Sequence, residues 1–155
     1  MRNKIATLVL AVSSGVFPCA GSGQPVGSGQ FAKIDNLVKS LLSHERALND
    51  LRPALKGEDR VTVFEIEEVT MGIEAPLDQI GNLLMLREAM IADADRQEVS
   101  QVLKIQAEGF SKLCSLNATQ LNASMGFAHN AALVLEAQEI KKLLSNACTV
   151  VESLR

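Results

Sequence analysis

Tryptophan and tyrosine are missing from this 155-residue chain and phenylalanine occurs only five times. The interior must therefore be built from leucine, alanine, valine, isoleucine and methionine, a composition that suits packed helices better than β-sandwiches. Basic charge is also scarce. Formal net charge is −3, and −5 without Arg2 and Lys4. Duplex nucleic acid is held by lysine and arginine surfaces and single strands by stacked aromatic rings, so nucleic acid is excluded as a partner class. Several local signatures are absent as well. There is no Cys-x-x-Cys, no Cys-x-x-Cys-His, no paired Glu-x-x-His, no Gly-x-Ser-x-Gly and no Gly-x-x-x-x-Gly-Lys. Redox thiols, zinc, attached haem, a diiron centre, a serine nucleophile and a phosphate loop thus have no motif to stand on.

No apolar run is long enough to cross a bilayer. The longest uncharged one, Ile5 to Phe17, follows Arg2 and Lys4 and precedes Pro18, Cys19 and Ala20, which is the layout of a secretory signal peptide over residues 1–20. Cleavage fits after Ala20 or within Gly21 to Gly23. Residues 21–30 are rich in Gly and Ser and read as a flexible linker. A second reading anchors Cys19 to lipid, although Phe17 and Pro18 stand where lipoprotein signals carry small residues. The expected address is exported, periplasmic or extracellular, with residues 31–155 as a single domain.

What is present is helical periodicity. Ile34, Leu37, Leu41, His44, Leu48, Leu51 and Leu55 form one stripe of a helix from Phe31 to about Leu55, which Pro53 and Gly57 end or loosen. Val63, Ile66, Thr70, Ile73, Leu77, Ile80, Leu84, Arg87 and Ile91 form a second, longer stripe that keeps phase across Pro76. Proline removes one backbone donor and crowds the carbonyl four residues back, here that of Gly72, so a single kinked helix is expected. Around Leu83 to Leu86 the apolar character spreads round the helix, which suggests a central element with neighbours on most sides. The competing reading makes Val61 to Ile66 a short strand. Asp95 and Glu98 have capping-box spacing at the start of a third helix that runs through Val99, Leu103, Phe110 and Cys114 to about Leu116. Residues 117–130, rich in Asn, Ser, Thr and Ala, fit a helical continuation, a separate short helix or an ordered loop. Leu133, Ala137, Ile140, Leu144, Ala147, Val151 and Leu154 carry a fourth helix. The expected architecture is all-α, an up-and-down bundle of about four helices with a long Pro-kinked central helix.

Cys114 and Cys148 remain once a signal is removed, and an even count in an exported chain points to a disulfide. A plain hairpin turning near Thr119 would separate them by about 30 Å along the axis. The pairing therefore requires the chain to reverse between Asn117 and Asn130, where Gly126 lies. His44 comes level with Gly72 in a hairpin turning near Gly57. Its imidazole is expected to donate to the Gly72 carbonyl that Pro76 leaves without a partner, the alternatives being a rim histidine or a metal ligand.

His129 reads as an exposed histidine near a helix start. Glu65, Glu67 and Glu68, and Asp93 and Asp95, read as solvated helix ends, since acid/base work needs a cleft that raises one pKa. Arg87, Gln106 and Asn130 interrupt apolar stripes and sit at a rim, fix register or face a second protein. Asn117-Ala118-Thr119 and Asn122-Ala123-Ser124 match the glycosylation pattern.

The expectation is an exported, noncatalytic helical module of a bacterial envelope. It would bind another protein or associate with itself as an adaptor, inhibitor or chaperone-like factor, with no catalytic residue, metal or cofactor assigned. The alternative is a bundle that carries an apolar small molecule or haem between its helices. A noncovalent haem held by Met and His from two helices obeys no local spacing rule.

Overall fold

The structure is a computed structural model that describes residues 29–155. The expected signal peptide, Cys19 and residues 21–28 of the expected linker lie outside the described residues. Four α-helices follow in order: α1, Gly29–Leu51; α2, Glu58–Ala89; α3, Asp93–Met125; and α4, Ala131–Glu152. A 3-10 turn, Arg52–Ala54, extends the end of α1. Helix α1 packs on α2 and α4, α3 packs on the same two, and α2 and α4 touch more weakly across the diagonal. This is the all-α, up-and-down four-helix bundle that short connections and amphipathic stripes call for.

Each helix owes its place to its stripe. Ile34, Leu41 and Leu48 of α1, Ile66, Ile73, Leu77, Ile80 and Leu84 of α2, Leu103, Phe110 and Leu121 of α3 and Leu133, Ile140 and Leu144 of α4 fill one shared interior. Most helical stability in a protein comes from packing of the apolar face, and burial contributes about 1.5 to 3 kcal/mol per aliphatic side chain.

Val61 to Ile66 is helical, not a strand. Thr62, Val63 and Ile66 are buried while Val61 and Phe64 face outward, so packing at helical period overrides local β propensity. Helix α2 runs unbroken through Pro76. Its stripe ends at half-buried Arg87, because Met90 is already extended backbone and Ile91 beyond it is 96% exposed. Nor is α2 enclosed on most sides. Met85 is half exposed, since the bundle covers α2 mainly with α1 and α3 and only weakly with α4 across the diagonal.

The ends follow local chemistry. Leu55 is buried and pins the α1–α2 connection, and Gly57 takes φ +57°, a conformation open to glycine and strained for other residues. Helix α1 begins at Gly29, so Gly29 and Gln30 belong to it and not to a linker. Helix α3 begins at Asp93, which places Asp95 and Glu98 inside its first turns and not in a capping box. Arg96 instead reaches across the junction to the Met90 carbonyl at 2.8 Å. Residues 117–125 continue α3 and the chain reverses at 126–130. Polar side chains there are turned to helix-compatible partners, Thr119 Oγ1 donating to the Ser115 carbonyl at 2.8 Å.

Candidate functional site

Cys114 of α3 and Cys148 of α4 stand at disulfide distance, with Cα atoms 6.0 Å apart. The reversal at 126–130 brings them level, and the bond staples the two C-terminal helices. Because Cys148 lies one turn from the end of α4 while Cys114 lies far from the start of α3, the first part of α3 extends about 25 Å beyond α4.

His44 does not meet Gly72. Its Nδ1 lies 2.6 Å from Glu136 Oε2 of α4, both side chains about a quarter exposed, so the histidine bridges α1 to α4. The physical reason is rotational: the α1 stripe is wide enough to touch both neighbours, and His44 stands on its α4 side. Gly72 instead looks toward α3. A Cβ built there would come 3.9 Å from Asn117 Oδ1, and the buried Asn117 Nδ2 has no hydrogen-bond partner. Asn117 is thus an interior residue of α3, and Asn122 an exposed one.

A second polar junction forms where α2 starts and α4 starts. Asp59 accepts from the backbone N–H of His129 at 2.7 Å and of Asn130 at 3.1 Å. These two donors hold its carboxyl below the usual carboxylate range, the His129 bond first, with the His129 charge adding to them. Asn130 caps α4, its side-chain oxygen accepting from Ala132 and Leu133 N–H at 3.0 and 3.2 Å. The His129 ring is exposed, with Nε2 3.3 Å from Glu58.

Of the acidic trio, only Glu68 is fully in solvent. Glu67 is buried and pairs with Arg52, whose guanidinium lies 4.6 Å over the Phe64 ring. Arg52 Nε and Glu67 Oε1 have no partner of their own. Glu65 accepts from Ser124 of α3 at 2.9 Å. No sequence signal marked Arg52, because its partner lies across the α1–α2 turn. Asp93 and Asp95 are exposed at the start of α3, Arg87 is half-buried and Gln106 is exposed. Glu74 is the carboxyl pushed above its ordinary range, by burial first and then by Glu45 and Asp78.

His44 with Glu136, Arg52 with Glu67, Ser124 with Glu65 and Asp59 with the 129–130 backbone each join two elements at a separate junction, so no two of these pairs share a site. Two concavities are open to solvent, one of about 280 Å³ between Lys33, Leu37 and Ser40 of α1 and Asn146 and Val150 of α4, the other of about 400 Å³ along Met125, Gln138, Lys141 and Ser145. Among the described residues no group of three or more His, Cys, Asp or Glu can hold a metal ion, and no helix is long and apolar enough to cross a membrane. No protein-family model, curated protein or solved structure matches the chain.

Proposed function

We propose that the chain is an exported, noncatalytic helical module that works by binding another protein or a second copy of itself in a bacterial envelope. One observation carries this reading: large apolar side chains remain on the outside of a bundle whose interior is already filled. Phe64, Met71 and Met85 of α2 and Ile105 and Leu116 of α3 are each about half exposed or more. Exposed apolar area of this kind, rimmed by polar residues, marks interaction surfaces. The paired Cys114 and Cys148 are compatible with an oxidising compartment outside the cytosol. A carrier would need an enclosed apolar space. Here aliphatic side chains and Phe110 take the interior positions, which favours a surface role.

The test is cross-linked affinity capture of the protein from its native envelope, with the absorbance spectrum of the freshly purified protein recorded alongside. A defined protein partner or a self-complex at fixed stoichiometry is the expected result. A bound chromophore, or a ligand released in stoichiometric amount on unfolding, would transfer the reading to a carrier.

A further inference from the structure

Reactivity toward oxidants is concentrated by what the chain lacks. It has no Trp and no Tyr. Both cysteines of the described residues are joined in the Cys114–Cys148 bond, so neither offers a thiolate. The groups left for a two-electron oxidant are thioethers, and among the described residues these are Met71, Met85, Met90 and Met125.

The fold sorts the four. Met71 is 48% exposed and Met85 50%, both on α2. Met90 is half-buried in the α2–α3 connection, where Arg96 holds its carbonyl, and Met125 packs against the core at the end of α3. Met71 and Met85 are fourteen residues apart, and Phe64 stands seven before Met71. At about 100° per residue the three lie within about 40° of one another round the helix, so they form one outward line about 30 Å long. Asp78 occupies the intervening position, its carboxylate accepting from Asn82 at 3.0 Å. The inward positions of the same stretch are filled by Ile73 and Leu84, both fully buried. A change at either sulfur therefore alters the surface and leaves the packing alone.

The step is an oxygen transfer. A lone pair of the thioether sulfur attacks one oxygen of hydrogen peroxide, the O–O bond breaks, an S–O bond forms and the second oxygen leaves as water. Sulfur loses two electrons and the peroxide gains them. An adaptable apolar side chain becomes a polar sulfoxide, and a methionine sulfoxide reductase reverses the change.

We infer that Met71 and Met85 are reversible oxidation sites for peroxide, and that their oxidation turns the outward line of α2 from apolar to polar and releases a bound protein. The release rests on the interaction-module reading and adds its regulation.

Peptide mass spectrometry of the full, disulfide-bonded chain after graded hydrogen peroxide tests the sites. Met71 and Met85 are expected to gain one oxygen at least about threefold faster than Met90 and Met125, in the order of exposure. Equal rates at all four, or a faster Met90 or Met125, overturn the assignment. While only these two are oxidised, helical circular dichroism and the urea midpoint are expected to match the untreated chain; a loss of helix at that stage refutes the surface placement. The release is tested by cross-linked capture from the native envelope with oxidised, peroxide-free chain beside untreated chain. The complex is expected to fall at least about threefold, to return after reductase treatment, and to survive peroxide in the Met71→Leu, Met85→Leu double variant, which has no sulfur at either position to oxidise. A complex unchanged when both residues are oxidised overturns the regulation and leaves the module reading standing. No complex from any form brings down the module reading and the regulation together, while the mass spectra decide the sites independently.

Discussion

At the scale of single residues, Asp59 and Glu74 move stability with pH in opposite directions. Asp59 is held below its ordinary range by the His129 and Asn130 N–H groups. Its contribution is present above the unfolded carboxylate value, about 4, and is lost as pH falls through the lower folded value. Asp59→Asn is therefore expected to flatten the acid limb of a plot of urea midpoint against pH, and an acid limb identical to the parent's would refute the assignment. Glu74 is raised by burial and by Glu45 and Asp78. The folded chain keeps that proton where the unfolded chain has lost it, so stability declines as pH rises through the interval. Glu74→Gln should raise the urea midpoint at neutral pH and leave it unchanged in acid. Asn130 is the remaining single-residue lever. Removing its cap in Asn130→Ala is expected to cost about 1 kcal/mol, measured by urea unfolding.

Among the helices, glycines and cysteines set how closely elements approach. A Cβ at Gly81 would come 3.3 Å from Ile34 Cγ2, so Gly81 lets α1 lie against α2. Gly81→Val is expected to destabilise by about 1 to 3 kcal/mol through forced separation of the two helices. Gly109→Ala, at a concentration that keeps the chain monomeric, should do the reverse and stabilise α3 by about 0.5 to 1 kcal/mol. Equal effects at the two sites would contradict the difference in their surroundings. The Cys114–Cys148 bond spans a sequence separation of 34. By loop-closure entropy its loss in Cys114→Ser with Cys148→Ser costs roughly 3 to 4 kcal/mol, and reductant should lower the parent's urea midpoint to that of the double variant.

For the whole molecule, the proposed binding to a partner or a second copy would couple stability to concentration. A ligand or copy that binds only the folded state raises the melting temperature by mass action. If the proposed partner is a second copy, the melting temperature is expected to climb with chain concentration; if it is another protein, the melting temperature of the isolated chain is expected to stay flat, as read by scanning calorimetry. The same scale explains why the bundle closes as it does: α2 and α3 outreach α1 and α4 and carry the outward apolar side chains, while α1 and α4 share a charged side bridged by His44 and Glu136.

Periodicity determined that there are four helices, the continuity of α2 across Pro76 and the shared aliphatic core, because which residues face inward on a helix depends on local spacing, but it left open the extension of α3 through residues 117–125, where the apolar stripe thins among Asn, Ser and Thr. Loop-length reasoning also required the chain to reverse before Asn130 if Cys114 and Cys148 were to meet, and the reversal at 126–130 meets that requirement. Tertiary structure decided what a stripe position faces. His44 lies on a stripe that two helices share, and only the relative rotation of α1 and α4 gives it Glu136 instead of Gly72. Likewise, the trio Glu65, Glu67 and Glu68 is one local pattern with three fates, a bond to Ser124, a buried pair with Arg52 and open solvent. Spacing along one helix carries no information about rotation between helices, and rotation selects the partners of every polar side chain at their seams.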